Sequence, residues 1–203
     1  LLEQVRKYNI QKFMFASSSS VYGNNLTIPF SENDKINNQT SPYAISKKMM
    51  EEFSNFYSKM YNINIIGFRF FTVYGPRGRP DMAPFKFISR IKNNIEIEKY
   101  GKGESLRDYT YIDDIINGIK GGIVNDIKGF EIYNLGNSNP ITLNKFIIIC
   151  EKVCGKKALI KQMGDQKGDV NITYANITKS RNDLGYNPKV KLEEGLKKLY
   201  ESL

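Results

Sequence analysis

The strongest constraint on the fold is a pair of short apolar runs with one long amphipathic segment between them. The runs are Lys12-Phe13-Met14-Phe15-Ala16 and Ile65-Ile66-Gly67-Phe68-Arg69-Phe70. Each is short, mostly apolar and bounded by turn signals, which suits a strand buried on both faces of a parallel sheet. The segment between them opens at Tyr43, and Met49, Met50, Phe53, Phe56, Tyr57 and Met60 recur along it at helical spacing. That stripe is expected to pack against the sheet. Strand, helix and strand in succession predict a right-handed βαβ unit. Ligands of such sheets sit beyond the carboxyl ends of the strands, and two polar clusters fall there, Ser17 to Ser20 and Thr72 to Asp81.

Downstream, Met82 to Ile91 is predicted to be helical. Ile95 to Tyr100 and Arg107 to Ile112 read as short strands around the turn Gly101-Lys102-Gly103. Asp113 to Ile123 reads as a helix and Phe130 to Leu135 as a strand. Thr142 is expected to cap a helix running to Cys154, with Gly155 as its stop signal. Leu159 to Gln162 reads as a strand, and two short helices close the chain. The fold class is therefore α/β: the C-terminal part of a doubly wound parallel (Rossmann-type) sheet plus a small α/β lobe. Residues 1–75 are assigned to the sheet domain, and residues 76–203 mainly to a substrate-binding lobe, with some segments returning to the sheet.

Composition removes several function classes. With 40% hydrophobic and 25% charged residues the chain is ordinary for a soluble globular protein, and no apolar run approaches membrane-spanning length. Leu1 to Lys7 read as a helix already under way and match neither a signal peptide nor a lipidation site. With no initiator Met, the expectation is a chain that begins inside a larger, cytoplasmic protein. The net charge of +9 admits an anionic partner, but the lysines are scattered and no basic block stands out, so no nucleic-acid partner is expected. There is no His, which excludes Ser-His-Asp and Cys-His catalysis. Cys150 and Cys154 are too few for a zinc site, so no metal is expected. Their spacing within one helical turn is poor for a disulfide, and they are expected to be reduced and packed.

Tyr43 and Lys47 lie four residues apart, on one helical face. An ammonium beside a phenol favours the phenolate, so Tyr43 is a candidate proton acceptor near neutral pH, and serine hydroxyls from a strand end complete a relay. In a chain with 13 Tyr neither feature is specific alone. In combination they are. Ser-Ser-x-x-Val-Tyr-Gly, Tyr-x-x-x-Lys and Arg-x-Phe-x-Val-Tyr-Gly-Pro follow one another here, and in this the chain resembles the extended short-chain dehydrogenase/reductase superfamily and its NAD-dependent epimerases and dehydratases. Phe70 to Met82, Arg107 to Asp114, and Gly168-Asp169-Val170 ahead of Leu184-Gly185-Tyr186 make it similar to UDP-glucuronate 4-epimerases in particular. Arg77 departs from that pattern, standing where many members carry an aromatic residue.

The resemblance implies an NAD cofactor, a UDP-sugar substrate, epimerisation at C4 and a homodimer at full length. It implies Ser18, Tyr43 and Lys47 as catalytic residues, with Ser19 and Ser20 assisting at the sugar. Tyr43, Lys47 and Phe70 would meet the cofactor. Thr72 and Arg79 would face the hexose, and Arg107, Tyr109, Gln166 and Asp169 would hold the UDP. A fixed guanidinium suits bidentate recognition of a carboxylate, so Arg79 is the candidate uronate reader. A 4,6-dehydratase would be expected to carry an Asp-Glu pair where Ser19 and Ser20 stand, which argues against elimination. Another UDP-hexose epimerase or a decarboxylase of the superfamily is the alternative activity. One expected motif is absent: no Gly-x-Gly-x-x-Gly or Gly-x-x-Gly-x-x-Gly follows a strand. A chain without that phosphate-binding turn would hold an incomplete NAD site, and a catalytically inactive binding module is the reading from another class.

Overall fold

The computed structural model describes residues 1–164 and 172–203. Helix α1 (Leu2–Lys7) leads into strand β1 (Lys12–Ser18), which ends in a 3-10 turn at Ser19–Tyr22. Helix α2 (Pro42–Tyr61) and strand β2 (Asn64–Phe70) complete the βαβ unit, with β1 and β2 parallel in the register Ser17↔Arg69 and Ser18↔Phe70. The start of α2 is set locally. Ser41 accepts a hydrogen bond from the Ala44 N–H at 3.1 Å, and Pro42 stands at the first helical position, where its missing N–H costs nothing.

A second segment of the chain returns to this sheet. After β3 (Thr72–Tyr74), α3 (Ala83–Lys92), β4 (Ile97–Tyr100), β5 (Leu106–Arg107), β6 (Tyr109–Tyr111) and α4 (Ile112–Val124), strand β7 (Phe130–Leu135) lies parallel to β2. The resulting order is β1-β2-β7. The chain is completed by β8 (Ile141–Thr142), α5 (Leu143–Cys154), β9 (Ile160–Met163), α6 (Thr178–Leu184) and α7 (Leu192–Glu201). Thr142 does cap α5, accepting from the Lys145 N–H at 3.2 Å, and Gly155 ends it in the left-handed region at φ 63°.

Three cores result among the described residues. One joins the sheet to α4 and α6 through Phe68, Ile115, Tyr133, Leu135 and Tyr186. A second fills the space between α3, α5 and α7 through Phe87, Ile91, Phe146 and Leu196. The third and smallest seats α1 on the sheet through Val5, Phe15, Ile65 and Ile132. Cys150 and Cys154 are free thiols buried in the second core. Among the described residues, no helix is long and apolar enough to cross a membrane, and no group of three or more His, Cys, Asp or Glu is placed to hold a metal ion.

Two expectations are corrected. Most of the apolar stripe of α2 does not pack on the sheet: Met49, Met50, Phe53, Phe56 and Met60 are 39–59% exposed, while Tyr57 packs partly buried against the core that holds Phe15 and Ile65. The buried residues of that helix are Ala44, Glu51, Ser54 and Ser58. Small and polar side chains seat the helix closely on the strands and leave most of the large ones outside. Several of these large residues line a groove of about 510 Å³ with Leu1, Phe13 and Phe15. The single strand expected over Arg107 to Ile112 is in fact two short strands in different sheets. β5 pairs antiparallel with β8, and β6 pairs parallel with β3. The chain turns between them because the buried Asp108 carboxylate accepts from the backbone N–H groups of Asn137, Ser138 and Ala175.

Candidate active site

The site is built where β1 and β2 end. Ser18 closes β1 and is paired in register with Phe70, itself paired with Leu135 of β7. The Ser18 hydroxyl caps the 3-10 turn, accepting from the Ser20 N–H at 3.2 Å and from the Ser20 hydroxyl at 2.9 Å. Three serine side chains are thereby held half-buried at the carboxyl edge of the sheet.

Tyr43 and Lys47 occupy the first two turns of α2, which packs against both β1 and this turn. The Lys47 ammonium donates to the Ala16 carbonyl at 2.8 Å and lies 5.6 Å from the centre of the Tyr43 ring. Helix and strand end are thus joined by a direct bond two residues before Ser18. Tyr43 is 54% exposed, so its phenol opens to whatever lies over the strand ends. Arg79 stands on the turn after β3, ion-paired to Asp81. The Asp81 carboxylate holds the Arg79 guanidinium above its ordinary range. The structure therefore brings Tyr43 and Lys47 to the strand end that carries Ser18, and sets Arg79 on the turn after β3.

Thr72 belongs to β3 and donates its N–H to the Asp108 carbonyl at 3.2 Å, which ties this edge to the lobe. On the lobe side a cavity of about 680 Å³ is lined by Lys86, Glu98, Tyr100, Lys102, Arg107 and Tyr109. Lys86 donates to Glu98 at 2.8 Å and holds that carboxyl below its usual range. Tyr109 is nearly buried, its ring stacked on Phe146 with centroids 4.5 Å apart. Gln166 and Asp169 lie outside the described residues.

Beneath the serines runs a polar row that sequence reading missed. Ser17, Arg69 and Asn134 are register partners across β1, β2 and β7, and all three are buried. Arg69 makes a two-pronged pair with Glu51 of α2 at 2.9 and 2.7 Å, and donates to the Tyr22 hydroxyl at 2.9 Å. Tyr22 in turn donates to the Asn134 side-chain carbonyl at 2.8 Å, and burial pushes its phenol well up, so it stays protonated. The available signal was a lone Arg inside an apolar run, with Glu51 one turn past Lys47.

The model of the family described as "NAD dependent epimerase/dehydratase family" matches residues 1–136. The chain belongs to that family. An uncharacterized protein of Methanocaldococcus jannaschii is 50% identical over 98% of this chain and 60% of its own length. The UDP-glucuronate 4-epimerase of Thermodesulfobacterium geofontis is 42% identical, over 98% of this chain and 61% of its own. Among solved structures, the UDP-glucuronic acid 4-epimerase from Bacillus cereus in complex with UDP-glucuronic acid and NAD superposes with a TM-score of 0.94 at 34% identity. It covers 100% of this chain, which spans 64% of that protein. The chain thus spans less than two thirds of the length of each of these relatives. Their likeness identifies β1-β2-β7 as part of the Rossmann-type sheet of an epimerase/dehydratase fold.

Proposed function

We propose that the protein containing this chain interconverts UDP-glucuronate and UDP-galacturonate by NAD-dependent epimerisation at C4. The observation that carries the reading is the junction of the Tyr43–Lys47 end of α2 with the end of β1 at Ser18, through the bond from Lys47 to the Ala16 carbonyl. Tyr43 takes the proton of the sugar 4-hydroxyl, and Ser18 hydrogen-bonds the same oxygen. The donors at the strand ends suit a nicotinamide riboside, with Lys47 and Tyr43 facing its hydroxyls and Phe70 its ring. Bound NAD supplies the acceptor, and then the donor, of the C4 hydride. After proton and hydride have left, the sugar is a 4-keto species, and Tyr43 returns the proton once the ring has turned its other face. Arg79 orients that ring through the uronate carboxylate. Arg107 and Tyr109, which line the lobe cavity, hold the UDP.

In this reading residues 1–75 are the back of the nucleotide fold and residues 76–203 mainly the substrate lobe. The longer protein is a homodimer, and Ile45, Phe53 and Phe56 on the exposed side of α2 offer it an apolar face.

The test is turnover of UDP-glucuronate by the full gene product with NAD, with UDP-galacturonate separated by anion exchange. Product formation is expected, and its absence refutes the reading. Arg79→Leu is expected to lower kcat/KM for UDP-glucuronate by about 10- to 100-fold, the worth of a charged hydrogen-bond pair. UDP affinity should stay within about threefold. Equal losses in both would remove Arg79 from the uronate site.

A further inference from the structure

The buried Arg69–Glu51 pair is chemically idle in the mechanism above, yet it sits directly under the reacting groups. Both side chains are about 95% buried, with 4% and 6% exposed. Removing two charges from water costs several kcal/mol each, and apolar replacements of such pairs are often neutral or stabilising. Stability alone is therefore a weak reason for the pair. Its connections point elsewhere.

Tyr43, Lys47 and Glu51 recur every four residues and so form one stripe on α2. Two members of that stripe are bound to consecutive residues of β1. Lys47 donates to the Ala16 carbonyl at 2.8 Å, and Glu51 accepts from the Ser17 hydroxyl at 2.5 Å. The next residue of β1 is Ser18. Arg69, paired in register with Ser17, grips Glu51 from below and Tyr22 from the side at 2.9 Å. Tyr22 is the last residue of the turn that Ser18 caps. One guanidinium therefore touches the helix that carries Tyr43 and the turn that carries the serines.

We propose that Arg69 and Glu51 are positioning residues, which fix the spacing between the Tyr43–Lys47 face of α2 and Ser18 at the end of β1. The proposal rests on the epimerase reading for the identity of the reacting groups. It does not require either residue to touch substrate or cofactor. A planar two-pronged pair is suited to this task because it constrains orientation as well as distance, which a single contact does not. Displacing a reacting group by about 1 Å costs about 10²-fold in rate, so a small shift of α2 on the sheet is enough to be seen.

The discriminating variant is Glu51→Leu/Arg69→Met, which removes both charges together and leaves neither orphaned. It is expected to melt close to the wild type and to bind UDP-glucuronate within about threefold, because the lobe cavity is untouched. Its kcat on UDP-glucuronate should fall by about 10²-fold. A folded double variant with wild-type kcat overturns the proposal and leaves the pair purely structural. Should the double variant not fold, Ser17→Ala reads the same link more gently, removing only the hydroxyl that bridges β1 to Glu51. A drop in kcat of about tenfold with unchanged KM supports positioning, and unchanged kcat overturns it. A readout independent of turnover separates this proposal from the epimerase assignment. The ring-carbon resonance of Tyr43, assigned by its loss in Tyr43→Phe, is expected to shift or broaden in each folded variant of the chain. A gene product that turns over no UDP-sugar while that resonance still moves refutes the activity and keeps the positioning. An unmoved resonance in a folded double variant refutes the positioning whatever the activity.

Discussion

Asp108 offers the sharpest test of how the lobe is attached to the sheet. It is 0% exposed and lies between Arg107 and Tyr109. Its Oδ1 accepts from the Asn137 N–H at 3.0 Å, and its Oδ2 from the Ser138 and Ala175 N–H groups at 3.0 and 3.1 Å. Burial pushes this carboxyl above its usual range, although the surrounding amides pull the other way. Its acceptor oxygens are what the surrounding backbone N–H groups use. Asp108→Ala leaves the Asn137, Ser138 and Ala175 N–H groups without their acceptor. Orphaned buried N–H groups cost about 1–3 kcal/mol each, and water entering the gap recovers some of that. The expected loss is about 4 kcal/mol, at the edge of what single substitutions do. Asp108→Asn keeps one acceptor oxygen, which in the Oδ2 position serves Ser138 and Ala175, while its NH2 group faces the Asn137 N–H donor to donor. Its expected loss is about 1–2 kcal/mol. Urea unfolding of both variants at neutral pH measures the two values by linear extrapolation, and UDP-glucuronate affinity should fall with the alanine variant, because Arg107 and Tyr109 flank the anchor. Losses that agree within about 0.5 kcal/mol, or an alanine loss below about 1 kcal/mol, would refute the role given to the acceptor oxygens.

Two further outcomes are expected. Tyr43→Phe removes a hydroxyl from a side chain that is 54% exposed, so stability should change by no more than about 0.5 kcal/mol. In contrast, kcat on UDP-glucuronate should fall by about 10²–10⁴-fold, and activity retained within about tenfold in a correctly melting variant contradicts the role given to Tyr43. Glu32 is held above the usual carboxylate range, chiefly by burial. Its contribution to stability is thus present at low pH and lost as pH rises through the raised value. Glu32→Gln removes that titration while keeping an acceptor for the Asn134 N–H. The melting temperature of the variant relative to wild type should become more positive between about pH 4 and about pH 7, and a flat or opposite trend contradicts the burial argument.

What the sequence makes legible here is whatever is coded locally. The α5 helix is bounded by Thr142 and Gly155 as expected, because a cap hydroxyl and a left-handed stop each act within a few residues. β7 spans Phe130 to Leu135, the bounds expected for it. The gathering of the serines with Tyr43 and Lys47 was legible too, because the topology of a βαβ unit places strand ends and helix starts together. The polar row Ser17–Arg69–Asn134 was not. Its members come from three strands, and only the register sets them side by side. The division of Arg107 to Ile112 was equally hidden, because it depends on Asp108 reaching backbone amides some 30 residues away in sequence or more.

The inverted packing of α2 shows why periodicity alone misled, and ties the error to the chemistry. Residues of an α-helix advance by about 100° each, so positions 47, 51, 54 and 58 form one stripe, and 49, 53, 56 and 60 form another about 200° around the axis. The first stripe is Lys47, Glu51, Ser54 and Ser58, of which the last three are buried. The second is Met49, Phe53, Phe56 and Met60, each more than half exposed. A helix has one face to lay on the sheet. Here that face must bring a phenol, an ammonium and a carboxylate to the ends of β1 and β2, and hydrophobic residues on the same stripe would push them away. The apolar stripe lies on the far side because the near side is the one that carries Glu51, Ser54 and Ser58 into contact with the strands. An amphipathic pattern reports that two faces differ but not which one is inward. In this chain the polar stripe is inward, and that choice is what links Glu51 and Arg69 to the placement of Tyr43.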